Sequence, residues 1–132
     1  MRLETIHQRY RDEVEFRLVY VREAHAADEW AMAINVAEAI EHTQPTRLDE
    51  RVEIAATCAV ALPLTMTTLV DDMDDAVGAA YAALPERLWL IDAEGTVAYR
   101  GGPGPWEFDP DAWESAIVAL LAARRSATTS AR

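Results

Sequence analysis

The apolar positions of this chain change period several times, and each change marks an element. Leu3, Ile6 and Tyr10 recur at helical spacing with Val14 one turn on, which predicts a short helix over residues 2–13. Phe16 to Val21 is apolar on both faces, the pattern of a strand covered by helices on two sides. That strand runs straight into Glu23, His25 and Asp28. Polar groups at the carboxyl end of a parallel strand stand where open α/β sheets bind their ligands.

Asp28 predicts the cap of a helix from Trp30 to about Glu41, with a loose apolar pattern at Trp30, Ile34 and Ile40 and a break at Gln44-Pro45. Thr46-Arg47-Leu48-Asp49 reads as a capping box with Asp49 in the usual glutamate place. The helix it opens reaches about Ala61, with Leu48, Val52, Ala55, Ala59 and Leu62 down one face, and Pro63 closes it. Leu64 to Val70 is rich in Thr and β-branched residues, a strand that ends in Asp71, Asp72, Asp74 and Asp75. Those carboxylates lack the glycine and the alternation of a calcium loop. They fit a strand end and the first turn of a helix from Asp75 to Ala83.

Beyond Pro85 the pattern is a hairpin: a strand Arg87–Asp92, a turn Asp92-Ala93-Glu94-Gly95 and a returning strand Thr96–Arg100. The loop Gly101-Gly102-Pro103-Gly104-Pro105 follows. Asp109-Pro110 then supplies an N-cap and a first-turn proline for a last helix that turns Trp113, Ile117, Leu120 and Leu121 inward. From Ser126 the residues are small and polar, the composition of a frayed tail. One domain over 1–125 is expected, with the tail at 126–132.

Composition narrows the function. The formal charge is −11, from 23 acidic and 12 basic side chains, and every basic one is Arg. That balance argues against nucleic acid or an anionic membrane as partner. No apolar run approaches the ~20 residues of a membrane span, and no signal peptide opens the chain. The single cysteine, Cys58, forms no internal disulfide, so a reduced cytoplasmic setting is expected. No phosphate-cradling loop, serine triad or zinc-ligand spacing is present, and no metal is expected.

Several stretches carry a family resemblance. VYVREAHAADEW at 19–30, RLDERVEIAATC at 47–58, LVDDMDD at 69–75 and AAYAALPERLWLIDAEGTVAYRGGPGPWEFDP at 79–110 resemble the iodothyronine deiodinases, a thioredoxin-like branch. Glu29 departs from the family pattern, which has Gly there. The resemblance implies an α/β, thioredoxin-like fold with a central mixed sheet flanked by helices. The family's first strand and its Cys or selenocysteine nucleophile, at the start of the helix containing Leu3 and Ile6, would fall upstream of Met1. The fold therefore reads as truncated at its N-terminus. The strand would sit between the Phe16 and Arg87 strands, and without it two sheet edges lack partners. Either the natural protein extends upstream, or strands rearrange or swap in a homodimer through those open edges.

The resemblance also gives roles to residues whose own chemistry admits a plainer reading. Glu23 and His25 match the family's Glu-Ala-His segment, where a carboxylate two residues away orients and charges the imidazole as an acid; otherwise His25 is a loop residue with a local hydrogen bond. His42 matches a second family His that holds the substrate phenol, or it simply suits a helix C-terminus. Arg87 resembles the arginine that clamps a carboxylate or phenolate, or else pairs with Glu86 or the Asp cluster. Pro85 is a candidate cis-proline facing the active site, and Trp30 a further substrate contact. Cys58 reads as a buried structural thiol, with a redox role as the alternative.

Two functions stand open. One is an oxidoreductase performing reductive dehalogenation or thiol redox chemistry on an iodinated or aromatic phenol, with no bound cofactor, a thiol reductant as co-substrate, and a nucleophile from outside these residues. A bacterial member need not act on a thyroid hormone. The other is a non-catalytic thioredoxin-like module that binds a small aromatic ligand or a protein partner.

Overall fold

The computed structural model describes residues 2–23 and 44–130. These form two compact units, residues 16–85 and residues 1–15 with 86–132. The composition is mixed helix and strand, and the described strands form two two-stranded sheets, one in each unit. A single sheet requires a strand bonded to both pairs, and the described residues contain none.

In the first unit β1 (Arg17–Tyr20) pairs in parallel with β2 (Thr67–Val70), in register from Arg17↔Thr67 to Tyr20↔Val70. Parallel neighbours need a crossover connection, and α2 (Leu48–Ala61) packs on β2. Its N-cap is Arg47, one residue later than the sequence pattern implies. The residue three further on is therefore Glu50, and its Oε2 accepts from the Thr46 and Arg47 amides at 2.8 and 3.2 Å. Asp49 instead pairs with the Arg47 guanidinium.

The face of α2 also differs from the expected one. Leu48, Val52 and Leu62 are exposed, while Arg51 and Ala55 are buried. The helix is turned by its arginine. Nη1 of Arg51 donates to the carbonyls of Asp72 (2.6 Å) and Asp71 (3.2 Å) and stands 2.9 Å from Asp75 Oδ1. Three polar contacts on a short loop outweigh a better alignment of small aliphatic residues. Asp71 is itself buried, and its carboxylate accepts from the amides of Asp72, Val77 and Gly78 at 2.9, 3.1 and 2.7 Å.

The acidic run thus closes a loop before α3 (Ala76–Ala80), which is shorter than the expected Asp75–Ala83. Asp75 is excluded by its left-handed backbone, φ 53°. At the other end Ala83 N donates to Gly78 O and Ala82 N to Ala79 O, the Schellman closure, with Ala82 at φ 45° where glycine is usual.

The second unit is a helix on a hairpin. β3 (Trp89–Ile91) and β4 (Val97–Arg100) are antiparallel, with a bulge between Leu90 and Ile91. Asp92 makes the turn: its Oδ1 accepts from Glu94 N and Thr96 N, and Gly95 takes φ 86°. α4 (Pro110–Ser130) packs on both strands and on α1 (Arg2–Tyr10). Asp109 Oδ1 caps it, accepting from Asp111 N and Ala112 N. Ile6, Leu88, Leu90, Trp113, Ile117 and Leu121 form the core. On the surface Arg2 and Arg9 both bind the Glu114 carboxylate, and Arg2 Nε reaches Asp111 Oδ1 at 2.7 Å.

α4 continues to Ser130 through the stretch expected to fray. The hydroxyls of Ser126, Thr128 and Thr129 turn back onto carbonyls four residues earlier, so these polar residues bond to their own helix rather than compete with it. His7 is half-buried with Nδ1 3.5 Å from Glu4 Oε2.

Candidate functional site

Glu23 lies three residues beyond the end of β1, in the position that a parallel strand gives to ligand-binding groups. The Gln44 amide donates to its carbonyl at 2.6 Å, which ties the segment after β1 to the approach of α2. Cys58, one turn from the end of α2, is close enough to feel the Glu23 carboxylate. Burial first, and that negative charge second, push the Cys58 thiol above its ordinary range. At neutral pH it is held as a thiol, the opposite of an activated nucleophile. Glu23 and Cys58 are therefore brought together, in an arrangement that quiets the sulfur. His25, Trp30 and His42 lie outside the described residues.

Pro85 and Arg87 flank the start of the hairpin, and the Leu84–Pro85 peptide bond is cis. Arg87 is half-buried, and its Nε is buried with no hydrogen-bond partner among the described residues. It makes no ion pair with Glu86 among them. A guanidinium N–H left without an acceptor in a buried position is costly unless something else supplies one. Trp89 and Arg100 sit beyond it on the two strands, the guanidinium 5.3 Å above the indole ring.

The loop after β4 is fastened to the Arg87 segment. Gly101 N donates to Leu88 O at 2.8 Å and Gly104 N to Glu86 O at 2.9 Å, so Arg87 lies between two rungs. Gly101 and Gly104 are buried, and a Cβ at Gly104 would collide with the Glu86 side chain.

Two other features attract notice and carry less. Among the described residues, no group of three or more His, Cys, Asp or Glu side chains is arranged to hold a metal ion. An open depression of about 670 Å³ is lined by Asp12, Glu13, Leu121, Arg124, Arg125, Thr128 and Thr129, and none of the candidate residues borders it.

The sequence profile of the iodothyronine deiodinases matches residues 2–117, most of the chain and both units. The chain belongs to the iodothyronine deiodinase family. It is 38% identical over 98 residues to the type I iodothyronine deiodinase of Xenopus laevis, a match covering 74% of this chain and 36% of that protein. The thyroxine 5-deiodinases of Ovis aries and Bos taurus are each 32% identical over 97 residues, covering 74% of this chain and 32% and 31% of those proteins. The chain thus spans about a third of the length of the curated relatives it matches. No helix among the described residues is long and apolar enough to cross a membrane.

What sequence reasoning missed here is tertiary. The approach of Cys58 to Glu23 joins residues 35 positions apart, and no local pattern signals it. The burial of Arg51 had one trace, an arginine four places beyond the capping residue Arg47 and ahead of an aspartate-rich strand end.

Proposed function

We propose that this chain forms the substrate-holding part of a deiodinase-type reductive dehalogenase acting on an iodinated or otherwise halogenated phenol. The observation that carries the reading is Arg87. Its buried Nε has no partner among the described residues, in a family whose relatives are named as iodothyronine deiodinases. In this reading Arg87 accepts the substrate's carboxylate or phenolate, a task suited to a planar fork of donors. Glu23 orients His25, which donates a proton to the ring carbon as the halogen departs. The family resemblance assigns His42 to the phenol and makes Pro85 and Trp30 further substrate contacts.

The nucleophile comes from outside these 132 residues. Its thiolate or selenolate attacks the halogen, taking it as S–I or Se–I while the ring carbon gains the His25 proton. One thiol of a reductant then displaces iodide to form a mixed disulfide or selenosulfide, and a second thiol releases the nucleophile while the reductant leaves as its disulfide. No bound cofactor is required. The fold that goes with this is thioredoxin-like, with a further strand completing the sheet. That strand comes from residues outside these 132 or from a second copy in a homodimer. A cytoplasmic setting supplies the reductant.

One observation favours a second reading for the 132 residues by themselves. Their sole thiol is the quiet Cys58, which leaves a module that binds an aromatic ligand, or a protein partner, without turning it over. Reductant-dependent iodide release separates the cases. This chain is expected to release none above background, and Cys58→Ser to change nothing; release that disappears in Cys58→Ser would make Cys58 the nucleophile and overturn the assignment.

A further inference from the structure

The fold leaves one large aromatic side chain unused. Trp106 is 94% exposed, the extreme among the large apolar residues described. An indole that contributes nothing to the core forgoes 150–250 Å² of burial, on the order of the largest contribution one side chain makes. Its loop is nevertheless stiff. Gly101 and Gly104 are bonded to the Leu88 and Glu86 carbonyls, Glu107 N donates to Pro103 O at 3.2 Å, and Pro103 and Pro105 fix the backbone on either side. Glycine at 102 and 104 admits the Glu107 and Glu86 side chains against the backbone, where a Cβ would collide with them. A rigid support for a solvent-facing indole suits a binding group, since little ordering entropy is lost when a ligand meets it.

The place of that support identifies the ligand. The same two rungs that hold the loop bracket Arg87. Chain geometry keeps the Trp106 Cα within about 7 Å of Gly104, the residue bonded to Glu86. A guanidinium whose Nε lacks an acceptor among the described residues and an indole left in solvent thus stand on one fastened segment. An aromatic ring carrying an anionic group satisfies both.

We propose that Trp106 is the aromatic wall of the substrate site, stacking on the ring of the phenol whose anionic group Arg87 holds. This rests on the reading of Arg87 given above and adds a specificity-determining residue to it. Because the indole touches almost nothing in the fold, its removal leaves stability intact and the test clean.

The probe is 3,5-diiodotyrosine, titrated calorimetrically into the full chain. Trp106→Ala is expected to weaken binding about tenfold, with the melting temperature unchanged, and Trp106→Phe to retain most of the affinity. Binding kept in Trp106→Ala but lost in Arg87→Ala overturns the inference and leaves the Arg87 reading standing. Absence of binding by the folded wild-type chain overturns both.

Discussion

Arg51 shows how one residue sets the local structure of this protein. A buried guanidinium is held because its Nη1 meets two carbonyls and a carboxylate of the loop that follows β2, while its Nε has no partner among the described residues. Removing it strands those acceptors, and an unpaired buried partner costs more than the pair contributes. Arg51→Met is expected to destabilise the chain by about 2–4 kcal/mol, read as a lower denaturation midpoint. A loss below ~1 kcal/mol would mean the loop holds itself through Asp71 alone. Cys58 makes the converse point: its environment disfavours the charged form, so its presence is no evidence of thiol chemistry.

At the scale of elements, stability and legibility follow the same local chemistry. Ala82 closes α3 in a left-handed conformation that costs an L-residue roughly 1 kcal/mol. Ala82→Gly is expected to raise stability by about that amount, less the entropy glycine loses on folding, and a lower midpoint would contradict the Schellman assignment. The ion pairs between α1 and α4 respond to acid. The Arg2 guanidinium, followed by the Tyr10 and Arg9 contacts, holds the Glu114 carboxyl below its ordinary 4.5. A depressed carboxylate stabilises the fold above its unfolded value and loses that contribution as pH falls through the folded one. The melting temperature of the wild-type chain is thus expected to drop more steeply below pH 4.5 than that of Glu114→Gln.

Elements with turn and cap chemistry were legible from sequence: the Asp92–Gly95 hairpin turn, the Asp109 cap and the extent of α2. The buried face of α2 was not, because apolar periodicity gives no weight to an arginine. The end of α4 was not, because hydroxyls that bond their own helix look the same in sequence as hydroxyls that fray it.

At the scale of the whole molecule, the family was legible and much of the site was not. Glu23 and Arg87 were named from motifs, yet the buried Arg87 Nε, without a partner among the described residues as is that of Arg51, is a property of packing. Trp106 stood inside the most particular motif of the chain, but its exposure appears only once the loop is fastened to the Glu86–Leu88 segment. The expectation that a further strand completes the sheet came from the family rather than from any pattern in these residues; among the described residues each sheet has two strands.

The account turns on Arg87 as the receptor of an anionic aromatic ligand. The measurement that tests it most directly is the dissociation constant of 3,5-diiodotyrosine for the wild-type chain and for Arg87→Ala, at matched ionic strength. A charge-assisted contact of this kind predicts a loss of about ten- to a hundredfold in the variant, with the fold unchanged. Equal affinity in the two proteins would contradict it.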